Sequence, residues 1–202
     1  MSNINICAQD AYLALYPQSK KPVGVNWPDE GTSQEQALAT NGNLGLLLGP
    51  KSDVMDVDLD CREAKGLAEL ILPKPFAQFD RGTPDSGHYL YKAITCGPTK
   101  KFSGNGPKSA LLELRGDGFQ TMIPPFIYPD GNRLNFTDIN QDAPEVKYAN
   151  LLKSVSCLAA CSEVAQLWVS GRRHELALSF SGLCLKQKVD PQLLINIIQR
   201  IC

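Results

Sequence analysis

The sequence predicts an α+β fold: a mixed or antiparallel sheet with flanking helices, followed by a helical appendage. Three observations predict it. Between residues 76 and 129 the chain is cut by Gly- and Pro-containing turns into short segments suited to strands and too short for helices. Helical spacing precedes that middle in three places. From about residue 142 onward glycines become few and long helical periodicity takes over, which places a boundary between residues 1–141 and 142–202.

Each element has its own signal. "AQDAYLALYP" (8–17) has helical spacing and stops at Pro17, and "QSKKPVGVNW" after it suits an extended basic arm. "TSQEQALAT" predicts a helix with Thr32 or Ser33 as its N-cap. "NLGLLLGPKSDVMDVDLD" predicts two strands turned at "GPKS", and the helix "CREAKGLAELI" follows, stopped by Pro73. "FAQFDRG", "SGHYLYKA", "SALLELRGDG" and "FQTMIPPFIYP" are the four strand candidates of the middle. "DPQLLINIIQRIC" has Asp190 as N-cap and Pro191 at the first helical position. It stops at residue 202 directly after an apolar face, as expected of one module of a longer protein or of a docked last helix.

Composition narrows the function classes. With 202 residues, 20 basic and 21 acidic side chains, the net charge is −1, so no global basic coat for nucleic acid exists and any such contact is local. No apolar run approaches the ~20 residues of a membrane span, and the N-terminus lacks a signal-peptide layout, so a soluble, cytoplasmic protein without a membrane partner is expected. The seven cysteines are odd in number and lack CxxC pairs, the pattern of reduced, partly buried thiols. Cys157 and Cys161, four apart, suit helix packing; a zinc site with His174 is the alternative.

The segment "SDVMDVDLD" (52–60) raises a charge problem. With the two-residue period of a strand, Met55, Val57 and Leu59 share one face and Asp56, Asp58 and Asp60 the other. Like charges so placed repel, so the acidic face is either solvated or set against a cation, for which Mg²⁺ or Mn²⁺ is the natural partner of hard carboxylate oxygens. In "ALLELRGDG", Glu113 and Arg115 share a face opposite Leu112 and Leu114. They form a local salt bridge, or Glu113 completes a three-carboxylate nest for two metal ions while Arg115 orients it or meets a phosphate. In "RGTPDSGHYLY", Ser86 and His88 point the same way. They suit donation to triphosphate oxygens better than a nucleophile–base pair, because side chains two apart on a strand run parallel; a structural histidine is the plain alternative. Lys100, Lys101 and Lys108 fall in a Gly- and Pro-rich stretch that reads as a flexible basic loop. Arg172, Arg173, Lys186 and Lys188 sit in the helical tail, as template contacts or as solvated helix surface.

The order of these pieces, "DVD", then "SGH", then "LLELRGDGFQTMIPP", resembles the primase-polymerase family of the archaeo-eukaryotic primase superfamily. The similarity extends upstream through "YLALYPQSKKPVGVNW" and "NLGLLLG" and covers most of residues 8–128. It implies an RRM-like catalytic core of primase type and template-dependent nucleotidyl transfer. It further implies that Asp56, Asp58 and Glu113 ligate two Mg²⁺ or Mn²⁺ ions, and that His88, with Ser86, holds the incoming triphosphate. Arg115, Arg81 and Lys21 transfer as further nucleotide contacts. Phe126 stands after Pro125 where the family more often has a small polar residue. The implied partners are nucleoside triphosphates, a single-stranded or primed DNA template and a helicase domain or protein. The rival functions are a two-metal nuclease or phosphohydrolase, and a non-catalytic nucleic-acid-binding replication or defence module.

Overall fold

The computed structural model describes residues 6, 10–105 and 109–201. Its strands are β1 (Tyr12–Leu15), β2 (Asn43–Leu47), β3 (Val54–Leu59), β4 (Ala77–Asp80), β5 (Gly87–Thr95), β6 (Lys100–Ser103), β7 (Ala110–Arg115), β8 (Gln120–Ile123), β9 (Phe126–Ile127), β10 (Arg133–Ile139) and β11 (Val146–Lys147). Its helices are α1 (Gln34–Leu38), α2 (Arg62–Ile71), α3 (Tyr148–Gln166), α4 (Arg173–Lys186) and α5 (Pro191–Ile201). The fold is α+β. A small antiparallel sheet runs β1-β2-β8, and an eight-stranded sheet runs β6-β7-β3-β5-β4-β10-β9 with β11 added to β5 in parallel.

The alternation in β3 sorts the molecule into two layers. Met55, Val57 and Leu59 face one way, together with Tyr89, Tyr91, Leu112 and Leu114 of the flanking strands, into a core shared with α2, α3, α4 and α5. The opposite face of the same sheet carries Phe79, Leu90 and Ala77 into a second core, closed by Leu13, Leu44, Leu46 and Ile123 of the small sheet. Asp56 and Asp58 therefore point between the two sheets rather than into solvent.

Local chemistry explains the helix ends. In α1 the Ser33 hydroxyl accepts from the Gln36 N–H at 3.2 Å, and the Gln36 side chain accepts from the Ser33 N–H at 3.3 Å, a complete capping box. Ser33→Ala is expected to lower stability by about 1 kcal/mol, read as a lower urea midpoint with an unchanged m-value. Ala64, Leu67 and Ala68 form the buried stripe of α2, which ends where Pro73 holds Leu72 extended, at ψ 149°. The Asp190 carboxylate caps α5 by accepting from the Leu193 N–H at 3.1 Å.

Two expectations need correction, and the structure adds two features that the sequence left unspecified. The segment expected as helix over 8–17 holds strand β1 instead; Tyr12, Leu13 and Leu15 are all buried, and a run apolar on both faces carries no period to tell helix from strand. Residues 8 and 9 of that segment lie outside the described residues. The two strands expected on either side of "GPKS" are present as β2 and β3, in different sheets. The turn between them, with Gly49 at φ 88°, carries the chain from the small sheet to the large one, and a single bridge from Gly49 to Val54 joins its ends. The basic loop expected around Lys100 and Lys101 is edge strand β6, paired with β7. β10 was not anticipated, because a register shift between Phe136 and Asp138 breaks its alternation.

The return crossing from β7 to β8 lies against the outward one. The Leu48 N–H donates to the Phe119 carbonyl at 2.8 Å, and a Cβ on Gly49 would come within 2.8 Å of the Asp117 Cα. The two sheets are thus joined along one end of the space between them.

Candidate active site

β3 lies between β5 and β7, and antiparallel register decides which side chains meet. Asp58 stands opposite His88 on one side and Glu113 on the other, while Asp56 stands opposite Arg115. Directly opposed residues share a sheet face, so Asp56, Asp58, His88, Glu113 and Arg115 converge.

Asp56 is fully buried, and a carboxylate there stays ionised only if it is paired. His88 Nδ1 lies 2.9 Å from Asp56 Oδ2, and Nε2 lies 3.5 Å from Asp58 Oδ1. The imidazole is stacked on Phe79, with ring centroids 4.7 Å apart and planes within 15°, which fixes its orientation. Burial works to raise the Asp56 pKa, but the His88 charge and hydrogen bond, then Arg115, outweigh it and hold the group below its ordinary value. Burial likewise opposes charge on His88, yet Asp56 and Asp58 outweigh it and raise its pKa. Asp58 goes the other way: burial, assisted by Asp56 and Asp60, pushes it up to about 6 against the pull of His88 and Arg115. Two aspartates two residues apart are thereby driven in opposite directions.

Arg115 ties the cluster together. Its Nη2 makes a very close ion pair with Asp58 Oδ2, its Nε lies 2.9 Å from Glu113 Oε2, and its Nη1 lies 4.0 Å from Asp56 Oδ2. Lys101 on β6 reaches Glu113 Oε1 at 2.9 Å. Burial opposes ionisation of Glu113, but the hydrogen bonds from Lys101 and Arg115 prevail and lower its pKa.

Hard carboxylate oxygens on adjacent strands are the donor type that Mg²⁺ and Mn²⁺ take, and Asp56 Oδ1 is buried without a hydrogen-bond partner. In donor chemistry Asp56, Asp58 and Glu113 fit such ions. Among the described residues, however, no group of three or more His, Cys, Asp and Glu side chains is arranged to hold a metal ion, and Arg115 already contacts all three carboxylates.

The remaining expected residues are spread more widely. Ser86 lies just before β5, partly exposed, with its hydroxyl 3.0 Å from that of Thr83. Arg81, in the same loop, lies over the Tyr128 ring, 3.3 Å from its centroid. Lys21 leans over Tyr16, 5.9 Å from the ring centroid. Its neighbour Lys20 is the lysine that feels the cluster: burial lowers its pKa, Asp58 and Asp60 oppose that shift, and Arg115 and Arg81 add to it. Lys100 is exposed on edge strand β6. Arg172 and Arg173 are exposed at the start of α4, in the helical layer on the other face of the sheet, where Lys186 and Lys188 are also exposed. Lys108 lies outside the described residues. Cys157 and Cys161 lie four residues apart on α3, both at least partly buried, and the exposed His174 joins them in no metal-binding group among the described residues.

Sequence reasoning missed Lys20, Phe79, Thr121 and Tyr128. Thr121, on β8 of the facing sheet, is 1% exposed and helps lower the Asp56 pKa; its signal was a hydroxyl within the otherwise apolar "TMI". Phe79 was visible as one alternating residue of "FAQF". Nothing in "SKKP" distinguishes Lys20 from Lys21, because the turn that carries them follows no period.

No curated protein matches the chain. Residues 8–147 match the family model of the N-terminal domain of bifunctional DNA primase/polymerases; this span, more than half of the chain, contains the whole carboxylate cluster, and the protein belongs to that family.

Proposed function

We propose that the protein is a template-dependent nucleotidyltransferase that joins nucleoside triphosphates to a primer or an initiating nucleotide on DNA. The observation that carries this reading is the convergence of Asp56, Asp58, His88 and Glu113 on one face of three adjacent strands. In this reading residues 1–141 form a primase-type, RRM-like catalytic unit and residues 142–202 a helical appendage.

Asp56, Asp58 and Glu113 would hold two Mg²⁺ or Mn²⁺ ions, which when bound supply charge neutralisation at the attacking and departing oxygens. The chain itself supplies position. The Phe79 stack and the Asp56 hydrogen bond orient His88, and the sheet keeps Asp58 and Glu113 opposite each other. Arg81, Ser86 and Lys20, with Lys21, are assigned to the triphosphate, to which they offer donors and positive charge. Lys100 and Lys101 on the edge strand, and more distantly Arg172 and Arg173, are assigned to the template backbone. Because the reaction is in-line displacement between two bound nucleotides, orientation does the work and no protein nucleophile is required.

The test is one incubation read two ways. Labelled primer annealed to template, given nucleotides and Mg²⁺ or Mn²⁺, is expected to lengthen, and the same DNA without nucleotides is expected to stay intact. Shortening without extension would assign the site to a nuclease, and DNA binding with neither reaction to a non-catalytic module.

A further inference from the structure

Three carboxylates fixed by one rigid sheet repel each other, and something must hold them together before any divalent ion arrives. The guanidinium of Arg115 touches all three: Glu113 at 2.9 Å, Asp58 in a very close pair and Asp56 at 4.0 Å. Its side chain is 20% exposed, and it reaches the cluster because Glu113 and Arg115 share a face of β7. We infer that Arg115 is a built-in occupant of the carboxylate nest, holding Asp56, Asp58 and Glu113 in place until divalent ions bind and competing with those ions for the same oxygens.

This inference rests on the proposed reading of the nest as a metal site. The competition is geometric before it is electrostatic. A divalent ion coordinates carboxylate oxygens at about 2.0–2.2 Å, so it takes the lone pairs and the volume that the guanidinium fork uses on Asp58 and Glu113. Both cannot be fully coordinated by the same oxygens, and two cations that close also repel. The balance of charge points the same way. Asp56 and Asp58 already face His88, Glu113 faces Lys101, and Lys20 feels the charges of Asp58 and Asp60. A cluster so evenly compensated admits a divalent ion more readily once one of its cations has moved. Arg115 has the longest flexible stem of those that touch both aspartates, whereas His88 is locked against Phe79. A guanidinium is a permanent cation, so the side chain leaves with its charge and its planar fork suits the phosphates of a nucleotide.

The experiment is a Mn²⁺ titration of the full chain, followed by loss of the free-ion electron paramagnetic resonance signal, for wild type, Arg115→Gln, Arg115→Lys and Asp58→Asn. Arg115→Gln keeps a hydrogen-bonding group but removes the charge, and it is expected to bind Mn²⁺ about tenfold or more tightly than wild type. Arg115→Lys keeps a competing cation and is expected to stay close to wild type. In chelator Arg115→Gln is expected to melt below wild type, and to gain more from added Mn²⁺. Equal or weaker Mn²⁺ binding by a folded Arg115→Gln would overturn the inference while leaving the metal reading in place. Binding by Asp58→Asn as tight as by wild type, or no binding by any variant, would overturn the metal reading and the inference with it.

Discussion

Asp58→Asn is expected to lower nucleotide incorporation by on the order of a thousandfold or more, while the melting temperature in chelator stays close to wild type. A thousandfold corresponds to about 4 kcal/mol of barrier, the scale of charge stabilisation at a metal-dependent phosphoryl site. Stability should suffer little because burial already pushes the Asp58 carboxyl up to about 6, so the fold resists its charge, and the neighbouring Asp56 and Asp60 add to that resistance. Asp56→Asn should lose as much activity and also melt lower. Its carboxylate is fully buried against His88 Nδ1 at 2.9 Å, and an amide there either faces the ring N–H with its own N–H₂ or spends its only acceptor on it. Breaking a buried ion pair from one side costs about 3–5 kcal/mol. Primer extension and thermal melting of both variants give the comparison. Near wild-type incorporation by the two would remove Asp56 and Asp58 from the metal assignment.

His88→Ala is expected to reduce stability and every activity together, rather than nucleotide affinity alone. Its ring nitrogens are directed at Asp56 and Asp58 and its face is covered by Phe79, so the change strips a buried carboxylate of its partner and opens a cavity. The pH profile gives a sharper signature. Because Asp56 and Asp58 raise the folded-state pKa of His88 above 6.5, its contribution is complete below pH 6.5 and drains away as pH climbs through the folded value. The Asp56 pKa is lowered from 3.8, so its contribution is present above that pH and is lost as acid protonates it. Asp58 acts in the same direction as His88 and against Asp56: its folded pKa is raised from 3.8 to about 6, so stability declines as pH rises across that interval. Wild type should therefore weaken above pH 6.5, whereas His88→Ala, weaker throughout, should lack that alkaline decline. Urea midpoints measured from roughly pH 5 to 9 report both curves. An unchanged alkaline decline in His88→Ala would show that another group titrates there.

The parts of the site legible in the sequence are those governed by strand alternation. Asp56 and Asp58 share a face because the period of two is unbroken from Val54 to Leu59, and Glu113 and Arg115 share one for the same reason. What alternation cannot express is which strands become neighbours. The crossing at Gly49 moves the chain from one sheet to the other, so that β2 and β3 belong to different sheets and Thr121 of the small sheet is brought toward Asp56. Burial was hidden as well. Asp56 in "DVD" reads as readily as a solvated strand face, and only the covering sheet makes it interior. Helix ends written in side-chain chemistry, such as Ser33 with Gln36 and Asp190 before Pro191, were legible because the partners lie within three residues of each other. β1 and β10 were not, one lacking polar positions to set a phase and the other shifting phase at its bulge.

The two sheets are clasped at both ends, by the paired crossings beside Gly49 and Asp117 and, at the far end of β2 and β8, by the run from β8 into β9, where the Asn43 side chain takes both the N–H and the carbonyl of Ile127 at 2.8 and 2.9 Å. Asp56, Asp58, Glu113, His88 and Arg115 all belong to the large sheet, so a small slide of one sheet over the other would leave the distances among them unaltered. Thr121 and Lys20 belong to the small sheet or its margin, and theirs are the separations that such a slide would change.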